Sequence, residues 1–422
     1  MMADAERERV TPYQWRVLLV AWLGWVFDSM DSTIYALVLQ PALHDVLGRP
    51  GVPAPDPGRI AWYGGVIFSI FLVGWASGGV LFGVLADRFG RTRTLIVTIL
   101  VYAIFTGLAA LSTTWWQLAL YRFVTALGIG GEWAAGAALV AEVWPERRRT
   151  QAAGMLQSAW AAGFFLAAAV NLALRAHGWR PMFLVGVAPA LVALLVRVGV
   201  REPERWVSAR REAAAPRLAE LFSPALRRAT WCGAALAFVA VFGLWGATNW
   251  TPTLVRALPE VQRLAAAEQA QRVSWATMAL NAGALLGYLA FGPLAERLGR
   301  RGAFAVMCAG SAVFLPTTFL VPGPYGRVLA LLPLLGFFNN GIFSGFPIWL
   351  PELYPTRLRA SGAGFCFNAG RVLAASGPVL TGALVGGLGS FGRAASAVAA
   401  IYLLGLLVLP FAPETRGRQL PA

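Results

Sequence analysis

Apolar residues in this chain come in long blocks, not in stripes. Charged or Pro/Gly-rich breaks leave about twelve runs of roughly 20 residues, the length that a helix needs to cross a bilayer. Their limits lie near 17–39, 62–86, 94–112, 116–143, 151–174, 181–200, 229–255, 273–295, 303–321, 326–350, 360–386 and 392–411. The pattern predicts an all-α membrane protein with twelve transmembrane helices. The longest polar stretch, Arg201 to Arg228, is expected to join the sixth span to the seventh. It divides the chain into an N-terminal six-helix bundle at 1–200, a linker at 201–228 and a C-terminal six-helix bundle at 229–422.

The two halves repeat each other. "GVLADRFGRTR" (Gly83–Arg93) closes the second span and "GPLAERLGRRG" (Gly292–Gly302) closes the eighth. Gly83, Asp87, Arg88, Gly90 and Arg91 thereby match Gly292, Glu296, Arg297, Gly299 and Arg300. "EVWPERRRTQAAG" (Glu142–Gly154) matches "ELYPTRLRASGAG" (Glu352–Gly364), which superposes Glu142 on Glu352, Arg147 on Arg357 and Arg149 on Arg359. Pro203-Glu204 and Pro413-Glu414 follow spans six and twelve. Anchors offset by 209 to 210 positions predict two pseudo-symmetric bundles with a substrate site at the midplane between them.

Composition agrees with the pattern. Of 422 residues 58% are hydrophobic and 13% charged, and mean hydropathy is +0.62. A soluble chain needs more charge than that to cover its surface. The net charge is +15, and all of the basic residues are arginines. They crowd the segments that would face the cytoplasm with an internal N-terminus, whereas the opposite loops hold few, among them Arg49, Arg59, Arg175, Arg180, Arg256 and Arg327. This asymmetry predicts a multi-pass protein of the cytoplasmic membrane with both termini inside. The bilayer and its anionic headgroups, not nucleic acid, are the expected neighbours of the charge. The first residues, MMADAERERVTPYQW, lack a signal-peptide layout, so the first span is expected to be retained. Cys232, Cys308 and Cys366 lie scattered in apolar segments and suit packing, not a disulfide framework.

The Gly-x-x-x-Asp-Arg-x-Gly-Arg loop at Gly83–Arg91, its partner at Gly292–Arg300 and the two Pro-Glu pairs resemble the major facilitator superfamily. The resemblance covers essentially the whole chain and implies the two-bundle fold. "GWVFDSMDS", "RFVTALGIGGEW" (Arg122–Trp133) and "PELYPTRLRASGAGFCFNAGR" (Pro351–Arg371) are similar to the metabolite/proton symporters for organic acids, such as the sialic-acid and aromatic-acid carriers. In those relatives the aspartate pair usually brackets Gly-Phe, and here it brackets Ser29-Met30. The resemblance also implies that Asp87, Arg88 and Arg91, with Glu142, Arg147 and Arg149, and Glu296, Arg297, Arg300, Glu352, Arg357 and Arg359 in the second half, form a cytoplasmic gate. A purely topological role for these arginines, with Gly83 and Gly90 permitting a tight turn, accounts for the same pattern.

Deep charges are few: Asp28, Asp31, Arg122, Glu132 and Arg371. A central carboxylate costs about 2.5–3.5 kcal/mol on insertion scales, so such groups face cavities or each other and mark substrate or proton paths. Asp28 and Asp31 share a helix face with Tyr35. Two acids this close disfavour double ionisation, which suits a proton carrier; static neutralisation of Arg122 or Arg371 is the competing role. Arg122 is a proton-transfer residue by the family resemblance, and a structural ion pair serves equally. Glu132 lies ten residues, about 15 Å, along the same helix, so those two cannot pair within it. Arg371 needs an anionic partner, either a substrate carboxylate or one of the buried acids.

Asn368, Gln157, Asn249, Trp250, Asn281, Asn339 and Asn340 complete the candidate binding set, although each alone is also an ordinary interhelical hydrogen-bonding residue. No phosphate-binding loop occurs, and His44 and His177 lie apart in outer loops, so neither an enzyme nor a metal site is expected. The expected protein is a monomeric secondary transporter that needs no cofactor and takes its energy from a proton gradient. It would carry a small organic anion with protons by alternating access. A proton-coupled drug or cation exporter and a neutral sugar/proton symporter are the alternatives.

Overall fold

The computed structural model describes residues 10–48, 57–174, 177–212, 217–246, 250–320, 323–374, 388 and 391–421. Each expected span is helical over most of its described length. The first five are Pro12–Leu47, Pro57–Phe89, Arg91–Ala109, Trp115–Val143 and Arg149–Leu174. The sixth comes in two pieces, Arg180–Val185 and Pro189–Gly199. The seventh runs Arg227–Gly246 and resumes at Thr251–Ala257. The eighth and ninth form one stretch, Ala266–Leu320, broken at Gly299. The tenth runs Tyr325–Gly341 and, after a short 3-10 turn, Gly345–Leu353. The eleventh starts at Arg359–Ala374, and the rest of the stretch expected to reach 386 lies outside the described residues. The twelfth is Phe391–Val398 with Ile401–Val408.

Local sequence sets the helix starts. Thr11 and Thr114 each accept a hydrogen bond from the backbone N–H of a glutamine three residues on, and the side-chain oxygens of Gln14 and Gln117 accept one from the cap backbone N–H. This is the reciprocal capping box. Within lipid, helices satisfy their own backbone donors and acceptors, which is why apolar runs of this length fold this way.

Both described ends lie on one face. Gln14 Nε2 donates to the Val143 carbonyl at 3.0 Å, and Arg359 Nη2 donates to the Pro421 carbonyl at 2.7 Å. On that face the second span meets the eleventh and the fifth meets the eighth, related by the internal repeat. Gly83 and Gly292 make these contacts possible. A Cβ on Gly83 would come within 2.8 Å of the Ala360 carbonyl oxygen, and one on Gly292 equally close to that of Thr150. Gly83 therefore lies inside a helix and serves close packing, which corrects its expected place in a turn. The turn belongs to Gly90 (φ 118°) and its repeat Gly299 (φ 79°), both in backbone conformations that side chains disfavour.

The linker is more ordered than a plain connection. It contains a helix at Glu204–Glu212 and a 3-10 turn at Leu218–Phe222, and Trp206 donates its indole N–H to the Asp87 carbonyl at 2.9 Å.

Candidate functional site

Asp31 and Arg122 pair between the first and fourth spans. Nη1 reaches Oδ1 at 3.0 Å and Nη2 reaches Oδ2 at 2.8 Å, with both side chains buried. Thr106 of the third span donates to Asp31 Oδ1 at 2.9 Å. The guanidinium carbon sits 4.6 Å from the ring centres of Tyr35 and Phe71 and 5.7 Å from that of Phe183. Five spans thus meet at one ion pair enclosed by aromatic faces, which favour a cation. Of the two contacts, Nη1 to Oδ1 is a hydrogen bond and Nη2 to Oδ2 is an ion-pair approach.

Asp28 is placed differently. It is fully buried, and neither carboxyl oxygen has a hydrogen-bond partner among the described residues. Its charged neighbours are Glu132, Asp31 and Arg371. Glu132 lies over Gly24, one turn before Asp28, where any side chain on Gly24 would collide with its carboxylate. Its carboxylate faces the Tyr102 hydroxyl of the third span.

Arg371 projects from the eleventh span toward the second. Its Nη1 donates to Asn368 Oδ1 at 2.6 Å, and its guanidinium carbon lies 4.0 Å from the Trp75 ring centre and 4.8 Å from that of Phe367. It makes no salt bridge among the described residues. Asn368 in turn donates to the Gly364 carbonyl at 2.8 Å and fills the hollow over Gly79. Asn368 is therefore the support of Arg371, not a wall of the cavity.

A cavity of about 500 Å³ lies between the halves, on the side away from the termini. Ser32, Tyr35, Phe68, Trp75 and Trp160 form its N-terminal wall, and Trp245, Thr277, Asn281 and Asn340 face them. Its volume suits a small organic molecule. Beneath it, and sharing Trp75, Trp160, Trp245 and Asn340, is a chamber of about 40 Å³ bounded by Gln157, Tyr288, Phe367 and Arg371. That space admits about one water. Phe68 and Trp245 close over part of the gap from opposite halves, with ring centres 5.4 Å apart.

The face bearing the termini is sealed by ion pairs in which the two halves mirror each other. Arg91 binds Asp87 at 2.9 Å and Glu142 at 2.9 Å; Arg300 binds Glu296 at 3.2 Å and Glu352 at 2.7 Å. Arg359 then crosses to Glu142 at 2.8 Å, and Arg149 approaches Glu352 at 3.9 Å. Asp87 caps the start of the eleventh span, accepting from the backbone N–H groups of Ala360 at 3.1 Å and Ser361 at 2.7 Å. Its repeat Glu296 is half exposed. Arg357 pairs with Glu220 of the linker, and that hydrogen bond holds the Glu220 carboxyl below its usual range. Burial would raise the Glu414 carboxyl, yet backbone donors from Arg300, Arg416, Arg301 and Thr415 leave it lowered.

Several expected positions change. Glu142 pairs with Arg91 and Arg359, while Arg149, expected beside Glu142, turns to Glu146 and Glu352; Arg147 is exposed in the 3-10 turn Glu146–Arg148. Arg88 and Arg297 are also exposed, outside the sealed network. Asn339 accepts from the Tyr402 hydroxyl inside the C-terminal half, away from the cavity. Trp250 sits just before the cavity residues Thr251 and Pro252, and Asn249 lies outside the described residues. Sequence reasoning passed over Trp25, Trp75, Trp160 and Thr106. The signal for the tryptophans was present: Trp belongs at membrane interfaces, and these lie in mid-span.

Paired bundles around a cavity between the halves, sealed by ion pairs at one face, have the architecture of a membrane transport protein. Residues 21–267 match the Major Facilitator Superfamily, and the chain belongs to that superfamily. A Haemophilus influenzae protein, named for metabolite transport, is 32% identical over 98% of this chain and 99% of its own length. The cis,cis-muconate transport protein of Acinetobacter baylyi is 29% identical over 96% of this chain and 95% of its own. Among solved structures, the proton:xylose symporter XylE shares the fold with a TM-score of 0.76 at 18% identity, covering 97% of this chain and 98% of that one.

Proposed function

We propose that this transporter carries a small organic anion, a carboxylate, together with protons by alternating access across the cytoplasmic membrane. One observation carries the reading. Arg371 is a buried guanidinium bounding the small chamber beneath the cavity, with a neutral hydrogen-bond partner and aromatic faces but no carboxylate in contact among the described residues. A buried cation in that state is built to receive an anion. The muconate relative, whose named cargo is a carboxylate, supports the same class. A cationic cargo would meet Arg371 as a like charge.

In this reading Asp28, Asp31, Arg122 and Glu132 handle protons, while Tyr35, Gln157, Asn281 and Asn340 line the substrate path. Residues 1–200 and 229–422 rock against each other around the linker, in a monomer with both termini in the cytoplasm. Uptake by purified protein in liposomes tests the cargo. With acid outside, benzoate or cis,cis-muconate should accumulate and xylose should not. Xylose accumulation without either carboxylate would reject the anion assignment.

The ion pairs at the closed face act as the gate. Replacing Glu142 with alanine strips both Arg91 and Arg359 of a buried partner, a loss of about 3–5 kcal/mol. The closed face should then open more often. Ser361, buried behind this network, reports it: maleimide labelling of Ser361→Cys is expected to rise at least about tenfold in Glu142→Ala. Unchanged labelling would remove the locking role.

A further inference from the structure

Resting on the anion reading above, we infer that Gly79 and Asn368 form a positioning device. Asn368, lodged against Gly79 across the interface between the halves, holds Arg371 in its anion-receiving pose only while the face bearing the termini is closed. Gly79 lies on the second span and Asn368 on the eleventh. The amide fills the hollow so fully that a Cβ on Gly79 would come within 1.8 Å of its Nδ2 and 2.4 Å of its Cγ. The backbones approach closely as well: a Cβ on Gly364 would stand 2.3 Å from the Gly79 carbonyl oxygen. Within the eleventh span both ends of the amide are held. Nδ2 donates to the Gly364 carbonyl at 2.8 Å, and Oδ1 accepts from Arg371 Nη1 at 2.6 Å. Trp75, one turn before Gly79, supplies the face against which the guanidinium lies, 4.0 Å away. One restraint on Arg371 is thus made by the opposite half directly, and a second is wedged against it.

The internal repeat separates this device from the scaffold. At offsets of 209 and 210, Gly79 corresponds to Tyr288, Asn368 to Ser158 and Arg371 to Ala161. The equivalent interface, between the fifth and eighth spans, keeps the close helix approach: a Cβ on Gly154 would come within 2.9 Å of the Tyr288 carbonyl oxygen. It does not keep the rest. Ser158 Oγ donates to the Met155 carbonyl of its own helix at 2.6 Å, and position 161 carries no cation. Glycine hollow, amide and guanidinium therefore go together on one side of the pseudo-symmetric pair. The contact is also one that transport must break. Rocking that opens the face bearing the termini parts the second span from the eleventh. Asn368 then leaves its hollow and Trp75 leaves the guanidinium. Arg371 regains rotamers that it must lose again to bind an anion, which lowers affinity. The anion is held tightly on the cavity side and loosely once the opposite face has opened.

Benzoate and cis,cis-muconate serve as probes, with binding to the purified protein read from tryptophan quenching. Asn368→Ala should weaken binding about tenfold, the loss of one hydrogen bond to a charged group. Gly79→Ala evicts the amide and should weaken it by a similar factor. The double variant Gly79→Ala/Asn368→Ala should match Asn368→Ala alone, because both residues act through one contact. Losses that multiply would give them separate roles and overturn the device. Asn368→Asp sets a carboxylate against Arg371 and should lower affinity at least about a hundredfold with no drop in melting temperature. Exchange in liposomes of uniform orientation, at equal pH on both sides, tests the dependence on state. Asn368→Ala should raise KM about tenfold at the cavity-side face and leave KM at the other face unchanged; an equal rise at both would reject it. Native binding by the Asn368 and Gly79 variants, with Arg371→Ala still defective, would overturn the device alone. If neither probe bound the native protein, or both bound Arg371→Ala equally well, the anion reading itself would fall and the device with it.

Discussion

Arg371→Ala is expected to lower carboxylate uptake by about a hundredfold or more. A hydrogen bond to a charged group contributes about 1.5–3 kcal/mol, and a carboxylate can take two from one guanidinium. Each 1.4 kcal/mol is about tenfold in affinity. The loss should appear chiefly as weaker anion binding, measurable through quenching of Trp75, whose ring lies 4.0 Å from the guanidinium carbon. Arg371→Lys should recover only part of the activity. A lysine ammonium keeps the charge but loses the fork and the flat face stacked between Trp75 and Phe367. Undiminished carboxylate uptake by Arg371→Ala would end the assignment.

The second large effect is expected at Asp31. Asp31→Asn leaves Arg122 buried among Tyr35, Phe71 and Phe183 with no counter-charge. Breaking one side of such a pair destabilises a protein by about 3–5 kcal/mol. The variant should melt at lower temperature and lose proton-driven accumulation while anion exchange continues. A scaffold role and a coupling role separate in the double variant Asp31→Asn/Arg122→Gln. Removing both charges should restore much of the thermal stability, because no unpaired charge remains. It should not restore accumulation, because the Asp31 carboxyl is gone. Recovery of both would make the pair structural only.

Much of the architecture was legible beforehand, for reasons specific to membranes. A span must be helical and about 20 residues long, so apolar blocks translate directly into elements. The repeated loop at Gly83–Arg91 and Gly292–Arg300 marked the two halves, and the structure shows the same ion pairs at both. The deep charges were equally visible, since a charge in an apolar run must face a cavity or a partner. Their pairing was not. Asp28 and Asp31 looked like a couple on one helix face, but Asp31 turns to Arg122 while Asp28 sits beside Glu132. Spacing along a helix says which residues share a face, and it says nothing about what another helix brings to that face.

The gate shows the same division. Its residues could be read from the repeat, yet the partners of Glu142 come from Arg91 and, across the interface, from Arg359. The cavity walls were the least legible: mid-span Trp75 and Trp160 stand out by residue type, but which cavity they and Trp245 line is decided only when three helices face one another. Composition, block length and internal repetition alone determined the membrane environment, the helical class, the two halves and the short roster of buried charges. Tertiary packing decided which charges neutralise one another and which, like Arg371, are left without a carboxylate beneath the cavity. The reason is physical: partition into lipid depends on the local run of side chains, whereas an ion pair depends on a few ångströms between helices far apart in the chain.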